Sequence, residues 1–378
     1  MADIGHELTD DFLKELEKRI KEEYDKAVSD MERKYVAWFK KFTQEDENQK
    51  SLLEEGKITE QDYKDWRFRH LMIGKRWEQM LNVLAGDLQR ADRIARRISL
   101  NSMPDVYALN VNYSTYQIEN GGGIDTGFTL YNHDAAEKMI RETELQLMPG
   151  PSASKAAQLE DADRWDRQKI TSAVLQGVLQ GESAYEIAHR LEIVGQMKYN
   201  AAVRYARTMT TNAQNAGRYE AYRRADRLGV DLTIEWQATL DGRTRHDHRL
   251  MHGQRTSVDE PFHTPDGFTI MWPADCTSNV STAPQSEVWN CRCTLLSWVK
   301  GFEGDTVKEN PHMRGLSFEE WLEEKPHAWT AEDRAQYYRY KELLRGKAPT
   351  SLYQFREIKR DSAKWEELKQ AAKEARKK

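Results

Sequence analysis

The chain has 378 residues, of which 39% are hydrophobic and 31% are charged, and its formal net charge is −5. This length suggests two or three domains, and the low apolar share argues against one large spherical core. The negative net charge excludes a uniformly basic protein that coats nucleic acid, because such binding depends on clustered cations. No segment reaches the roughly 18 consecutive apolar residues of a membrane helix, and we expect no secretory signal at the N-terminus.

The N-terminal part of the chain has the spacing of two long amphipathic helices. Large apolar residues recur every three or four positions over residues 8–42, which predicts one helix with Thr9 as its N-cap. A second stripe over residues 66–94 predicts another helix that begins after Thr59. We expect Gly74 to weaken this second helix without breaking it. The two helices are predicted to pair as an antiparallel hairpin.

The segment after the second helix changes in composition. Pro104 is expected to end the helical region, because proline lacks the N–H that a helix needs. Residues 105–132 contain two β-rich runs around three glycines at 121–123, which predicts a β-hairpin. The glycines lack the known phosphate-binding patterns and are interpreted as a turn. Residues 148–155 combine proline, glycine and serine and predict a linker.

A second helical block follows the predicted linker. Ser183 and Glu186 form a capping box that opens a short helix, and a further helix is expected from about Met197 to Leu228. The latter is dense in arginine, which indicates either a solvated face of ion pairs or a surface that contacts nucleic acid or an acidic partner. The candidate DNA contacts are Arg204, Arg207, Arg218 and Arg223.

Short β elements are predicted downstream of this block. Residues 232–238 alternate between apolar and polar, residues 262–272 have the pattern of a hairpin, and residues 288–299 form an apolar strand. One or two helical turns are expected at 243–251. The predicted fold class is therefore α+β and predominantly helical. The predicted divisions are a helical hairpin with a small β-hairpin at 1–147, the linker at 148–155, a compact α+β module at 156–300 and a charged helical tail at 301–378.

The cysteines and histidines of the module form the most unusual composition in the chain. The three cysteines, Cys276, Cys291 and Cys293, are an odd number in one short region, so they do not form a disulfide framework. On a strand, Cys291 and Cys293 would share one face, and on a helix His248 and His252 would share one face. A tetrahedral zinc site of Cys291, Cys293 and His248 is chemically sensible, with His252 or Cys276 as its fourth ligand.

The same residues also have a purely structural interpretation. Two cysteines can pack in a core as small apolar side chains. In that case Asp241 caps the following turn with its carboxylate, and Arg292 holds carboxylates or backbone carbonyls.

Several motifs together resemble one protein family. Residues 206–218 (ARTMTTNAQNAGR), residues 236–248 (WQATLDGRTRHDH) and the run NCRC at 290–293 are similar to the phage Mu F-like minor head proteins of tailed bacteriophages. The positions that match the family motif are Asp241, Thr244, His248, Gly253, Asn290, Cys291, Arg292 and Cys293. His252 and Cys276 depart from the family pattern, so the resemblance does not support either as a fourth zinc ligand.

The resemblance implies a structural, non-enzymatic component of the virion. Such a protein would be present in few copies inside the head near the portal vertex, and in the host cytoplasm during assembly. Its implied partners are the portal protein, the major capsid or scaffolding proteins and the packaged double-stranded DNA, with no membrane. It would affect DNA packaging, retention or ejection. Some relatives carry a toxin or transferase domain at the C-terminus, and we expect none in the short charged tail at 301–378.

Two other functions are compatible with the residues alone. A metal-dependent nuclease could use His246, His248 and Asn290 to activate water. A DNA-binding protein could meet the genome through the arginines of residues 204–227 or through the C-terminal lysines. The chain contains no HExxH sequence, no Walker motif and no legible Ser-His-Asp order, which favours a protein that is not an enzyme.

Overall fold

The structure is a computed structural model. It describes residues 3–145, 147, 155–276, 278, 280–302, 308–309, 315–325, 331–344, 348–349, 355, 358–359 and 362–375. The predicted linker at 148–155 lies outside the described residues, except for Lys155, which begins a helix.

The described residues are mainly helical, with short antiparallel strands, as the sequence predicts. The helices are α1 (Ile4–Phe39), α2 (Thr43–Glu54), α3 (Glu60–Met72), α4 (Lys75–Gly122), α5 (His133–Glu142), α6 (Lys155–Leu179), α7 (Ala184–Arg227), α8 (His246–Met251), α9 (Gln285–Val288), α10 (Phe318–Glu324), α11 (Ala331–Leu344) and α12 (Ser362–Ala375). The strands are β1 (Ile124–Asp125), β2 (Val230–Gln237), β3 (Arg255–Thr256), β4 (Phe262–His263), β5 (Thr269–Ile270), β6 (Thr294–Phe302) and β7 (Lys308–Glu309). None of the helices described is both long enough and apolar enough to span a membrane.

Three long helices, α1, α4 and α7, pack along one another and form the frame of the molecule. Helix α1 runs antiparallel to α4, since Tyr24 donates a hydrogen bond to Asp92 while the later Lys34 pairs with the earlier Asp87 at 2.6 Å. It also runs antiparallel to α7, because Asp3 pairs with Arg218 at one end and the rings of Tyr24 and Tyr199 lie 6.2 Å apart further along. The predicted pairing of the two N-terminal helices is confirmed.

The ends of the N-terminal helices differ in part from the prediction. Helix α1 begins before Thr9 and is capped by Asp3, whose side chain accepts a hydrogen bond from the His6 amide at 3.1 Å. Thr9 lies inside the helix, and its hydroxyl donates to the Gly5 carbonyl at 2.7 Å. The capping box at Thr59 is confirmed. The expectation for Gly74 is wrong, because its φ of +93° ends α3 and starts α4.

The β-hairpin predicted at 105–132 is wrong. Helix α4 continues through Pro104 to Gly122, and only the two residues of β1 follow it as a strand. The missing proline N–H costs one helical hydrogen bond, but the second half of α4 is buried between α1 and α7. The valines and tyrosines there reflect this burial, and tertiary packing outweighs their β preference.

Helix α7 is continuous, although two separate helices were predicted over 183–228. The capping box of Ser183 and Glu186 is confirmed as its start. Near its C-terminal end α7 approaches α4 closely at Gly217, where an added Cβ would lie 2.6 Å from the backbone oxygen of Tyr107. Only glycine fits this crossing, because that contact is with backbone that cannot move aside.

A three-stranded antiparallel sheet of order β3-β2-β6 packs on this end of the helices. In its register Trp236 of β2 faces Leu295 of β6. The strand predicted at 288–299 begins only at Thr294, and the residues before it form α9 and an irregular segment. The prediction was wrong there because a short apolar run does not distinguish a strand from a buried loop. The hairpin predicted at 262–272 is confirmed as β4 and β5.

Most buried apolar residues in the described part of the chain fall into three clusters along the helices. One, called here the distal core, is built around residues such as Trp38, Trp77, Leu84, Ile170 and Leu191. Another, called here the motif core, combines the sheet with the C-terminal halves of α4 and α7 and with α10. The third cluster lies between them and joins α1, α4 and α7.

The domain boundaries predicted from the sequence do not separate independent cores. The motif core contains Tyr107 from the first predicted domain and Trp236 from the second. Strand β6 crosses the boundary at residue 300 and extends to Phe302. The predicted tail also contributes Phe318 and Trp321 to the motif core. Since α4 and α7 run through all the clusters, long helices rather than a linker organise the chain.

Candidate functional site

A buried group of two cysteines and one histidine, called here the Cys–His cluster, lies at the edge of the motif core. Helix α8 carries His248, and Nδ1 of its ring lies 3.3 Å from Sγ of Cys293 and 3.7 Å from Sγ of Cys291. None of the three residues is more than 2% exposed. The structure thus brings together the three side chains that the sequence analysis proposed as zinc ligands.

Glu287 contacts the second ring nitrogen of His248, and this contact was not predicted from the sequence. Its Oε2 lies 3.1 Å from Nε2 of His248, on the side of the ring opposite the sulfurs. It lies on α9, a single turn that ends three residues before Cys291. The ring of Trp236 packs edge-on against the imidazole, with 5.3 Å between centroids. Both ring nitrogens of His248 therefore have a polar neighbour inside an otherwise apolar pocket.

The other residues proposed as ligands lie outside the cluster. Helix α8 ends at Met251 and Gly253 follows with a φ of +81°, so His252 does not share a helical face with His248. Instead, Nδ1 of His252 accepts a hydrogen bond from the Ala238 amide at 3.2 Å. Sγ of Cys276 accepts a hydrogen bond from Nδ2 of Asn212 at 3.1 Å. The proposal of either residue as a fourth ligand is therefore wrong.

Burial and the hydrogen bonds within the cluster shift the pKa values of all three side chains. Burial raises the pKa of the Cys291 thiol, but hydrogen bonds from Cys293 and His248 outweigh it, so that the pKa lies well below its usual value. The pKa of Cys293 lies well above its usual value because of its hydrogen bond to Cys291 and its burial. Burial lowers the pKa of His248, but the adjacent Cys291 outweighs this and raises it overall. Cys291 and His248 thus each shift the pKa of the other toward its charged form.

Asp241 and Arg292 fasten the loop before α8 to the segment that carries the cysteines. The guanidinium of Arg292 donates to both carboxylate oxygens of Asp241, at 2.6 and 2.7 Å. Asp241 also accepts a hydrogen bond from the Arg243 amide at 2.9 Å and is bonded to the hydroxyl of Thr244. The bidentate contact with Arg292 holds the pKa of Asp241 well below its usual range. These motif residues therefore bind one another.

One face of α7, called here the α7 polar face, contacts residues 290–295, called here the cysteine segment. The α7 polar face consists of Thr208, Thr211, Asn212, Asn215 and Arg218, which are spaced by one, three or four residues and are buried.

The threonines of the α7 polar face bind the start of the cysteine segment. The Asn290 amide donates to Oγ1 of Thr208 at 2.9 Å. Thr211 Oγ1 donates to the Cys291 carbonyl at 2.7 Å. Asn290 has a φ of +56°, a left-handed conformation that asparagine adopts more readily than most residues. The turn that presents both cysteines is thus set by backbone contacts to α7.

Asn215 binds the end of the same segment. Its Nδ2 donates to the Cys293 carbonyl at 3.0 Å, and its Oδ1 accepts from the Leu295 amide at 2.9 Å, where β6 begins. These roles were not predicted from the sequence. The available signal was a set of threonines and asparagines at helical spacing within a long helix, where such residues are otherwise unfavourable.

The arginines proposed as DNA contacts have different surroundings. Arg218 is fully buried; its guanidinium pairs with Asp3 at 2.7 Å and donates to the Leu295 carbonyl at 3.0 Å. The prediction that Arg218 contacts DNA is wrong, because a phosphate group cannot reach this buried side chain. Arg207 pairs with Glu17 at 2.6 Å, Arg204 is exposed, and Arg223 is half-buried at a cavity of about 360 Å³. These positions do not form one basic surface.

Comparison with known proteins supports the resemblance found in the sequence. Residues 168–296 match the family model described as Phage Mu protein F like protein, and this region includes the Cys–His cluster and the α7 polar face. The predicted resemblance is therefore confirmed for this part of the chain. No solved structure matches the chain at a significant level.

Two curated proteins are similar over most of the chain. Minor head protein GP7 of Bacillus phage SPP1 is 25% identical over 233 residues, which cover 60% of this chain and 69% of that protein. The NAD(+)–arginine ADP-ribosyltransferase EFV of Enterococcus faecalis is 28% identical over 251 residues, which cover 62% of this chain. The match spans 48% of the Enterococcus protein, or about half its length.

Proposed function

We propose that this chain is a structural protein of the head of a tailed bacteriophage and that it docks at the portal vertex during head assembly. Two findings support this proposal. Residues 168–296 are similar to the Mu F-like family, and the chain has 25% sequence identity to a minor head protein. The observation that carries it is the arrangement of the motif residues. Asp241 binds Arg292, the cysteines face His248, and Asn290 is held by α7, so the motif stabilises a fold rather than lining an open cleft.

The distal end of the helical frame is the surface that we propose for docking on the portal. The exposed apolar side chains on α7 there are Tyr185, Ile193 and Met197, with exposed fractions of 70%, 59% and 43%. Tyr185 also lines a cavity of about 630 Å³ between α1 and α7, together with Val36. Exposed apolar side chains that are grouped on one surface favour contact with another protein.

A co-purification experiment with the portal protein of the same phage tests this proposal. The full chain is co-expressed with the portal, and we expect the two to elute together. Replacing Tyr185 and Ile193 together with serine should weaken the complex. The matched control is Leu240→Ser, which changes an apolar residue that is 62% exposed on a loop of the motif core. Deletion of residues 1–100 is a poor test, because it would remove α1 from its contacts with α4 and α7.

The result that contradicts this proposal is a chain that binds neither portal nor procapsid. If the control variant weakens binding as much as the double variant, the head role can stand but the docking surface is wrong. The same proposal includes residence inside the head, contact with capsid or scaffolding proteins and with packaged DNA, and effects on DNA packaging, retention or ejection. The same assays in infected cells test these points.

The geometry does not favour the alternative functions. A nuclease would need His248 and Asn290 at a metal that substrate can reach, but His248 is buried against sulfur and Asn290 lies on the surface. A DNA-binding role is not supported by Arg218, because this side chain is buried in the interior. The transferase activity in the name of the Enterococcus protein belongs to that protein, and 28% identity over half its length does not establish it here.

A further inference from the structure

We propose that His248, Cys291 and Cys293 bind one zinc ion, which fastens α8 to the segment before β6. This inference goes beyond the proposed head function and does not depend on it. The three side chains form a group of potential ligands whose donor atoms all lie within 4.8 Å of one another. Thiolate sulfur and imidazole nitrogen are the donors that zinc prefers in structural sites.

The spacing of the donor atoms fits a tetrahedral ion. Zinc binds sulfur at about 2.3 Å and nitrogen at about 2.0 Å, so sulfur and nitrogen ligands of one ion lie roughly 3.6 Å apart. The distances from Nδ1 of His248 to the two sulfurs are 3.3 and 3.7 Å. One nitrogen carries at most one proton and cannot bond well to two sulfurs at once. A single cation between the three atoms satisfies all of them.

The surroundings of the cluster also suit zinc. Two thiolates neutralise the charge of the ion, which removes the cost of burying it in an apolar core. The carboxylate of Glu287 lies against Nε2 of His248, the nitrogen that faces away from the sulfurs. Histidines that bind metal characteristically donate their second N–H to such a carboxylate, which fixes the tautomer and orients the ring. The Cys293 amide also points at Sγ of Cys291, at 3.4 Å.

The burial of the cluster favours a structural role for the ion. The described residues supply three donors to the ion. All three ligands are at most 2% exposed, so a substrate cannot reach the ion. The ion would connect α8 with the cysteine segment, which the α7 polar face holds from the other side.

Metal analysis of the reduced, full-length protein tests this proposal. We expect one zinc per chain by elemental analysis after purification without chelator. Exchange of zinc for Co²⁺ should produce a thiolate-to-cobalt charge-transfer band together with the intense visible bands of a tetrahedral site. Addition of a strong chelator should remove both signals and lower the melting temperature.

Variants assign the metal to these residues. Cys293→Ser and His248→Ala should reduce the zinc content at least tenfold, and Cys276→Ser is the matched control that should retain it. Because the first two variants can also disturb folding, Glu287→Gln provides a milder test. It keeps all three donor atoms and should weaken zinc binding about 10–100-fold, as loss of an orienting carboxylate does.

Three results would overturn the proposal. The first is a folded, reduced chain that contains no zinc and gives no charge-transfer band with Co²⁺. The second is a metal content that Cys276→Ser abolishes and Cys293→Ser leaves intact. The third is a disulfide between Cys291 and Cys293 in protein isolated under reducing conditions, because oxidised sulfurs cannot act as thiolate ligands.

Discussion

The distal core and the motif core both pack apolar side chains, but the motif core also adjoins buried side chains of α7 that hydrogen-bond to backbone. In the distal core, aromatic and aliphatic side chains pack on each other, and the rings of Trp38 and Trp77 lie 6.2 Å apart. In the motif core, buried polar side chains such as Asn215 bind backbone atoms of an irregular segment. Apolar packing is adaptable when volume is kept, whereas a hydrogen bond depends on particular atoms at particular positions. The motif core should therefore be far less tolerant of substitution by side chains of similar size.

The largest effect is expected at Arg218. Arg218→Ala leaves the Asp3 carboxylate without its partner and removes the donor to the Leu295 carbonyl. Loss of one member of a buried ion pair should lower the free energy of unfolding by about 3–5 kcal/mol. Urea denaturation followed by circular dichroism measures it. The exposed Arg204→Ala is the control and should change stability by less than about 0.5 kcal/mol. Equal effects of the two substitutions would contradict the described burial of Arg218.

A pair of substitutions at Leu84 tests the distal core. Leu84 is fully buried on α4, and Leu84→Ala should cost about 2–5 kcal/mol through lost transfer energy and a residual cavity. Leu84→Met keeps the volume and should cost less than about 1.5 kcal/mol. The same denaturation experiment distinguishes them. A methionine variant as unstable as the alanine variant would mean that the distal core is as specific as the motif core.

Asn215 provides the corresponding test in the motif core. Asn215→Leu has a similar volume but leaves the Cys293 carbonyl and the Leu295 amide without their partner. We expect a cost of about 1–3 kcal/mol, since buried polar groups then lose their hydrogen bonds. Amide hydrogen exchange should accelerate at Leu295 and the residues next to it. Unchanged stability and exchange would show that the cysteine segment does not depend on α7.

The smallest expected effect is the change of stability with pH that the Asp3 carboxylate contributes. Burial raises the pKa of Asp3, but the charge and hydrogen bonds of Arg218 outweigh it, so the folded-state pKa lies below the ordinary value of 3.8. The carboxylate therefore stabilises the fold fully above pH 3.8, and this contribution is lost as the pH falls through the folded-state pKa. Asp3→Asn should be less stable than the parent at neutral pH, and the difference should shrink in acid. A difference that grows as the pH falls would contradict the ion pair.

The sequence predicted the helices better than it predicted where they stop. The apolar period over residues 8–42 and the capping boxes at Thr59 and Ser183 gave correct elements, because those signals are local. The passage of α4 through Pro104 was not predictable from the sequence, since it depends on burial between helices that are distant in the chain. The break at Gly74 shows the opposite case, in which one residue outweighs a continuous apolar stripe.

The candidate site was predictable only in its donor atoms. The residue types and the resemblance pointed to His248, Cys291 and Cys293, but the spacing was attributed to a strand that does not exist there. Glu287 was missed because nothing in its local sequence distinguishes it from a surface glutamate. The role of Asn215 was missed for a similar reason, because its partners lie about 80 residues away in the chain.

As a structural head protein, this chain should be built into phage particles. Quantitative mass spectrometry of purified procapsids and virions tests this expectation most directly, with the portal protein as the internal reference for copy number. We expect peptides of this chain in both particles, in fewer copies than the major capsid protein. Absence of these peptides from procapsids and virions alike would contradict it.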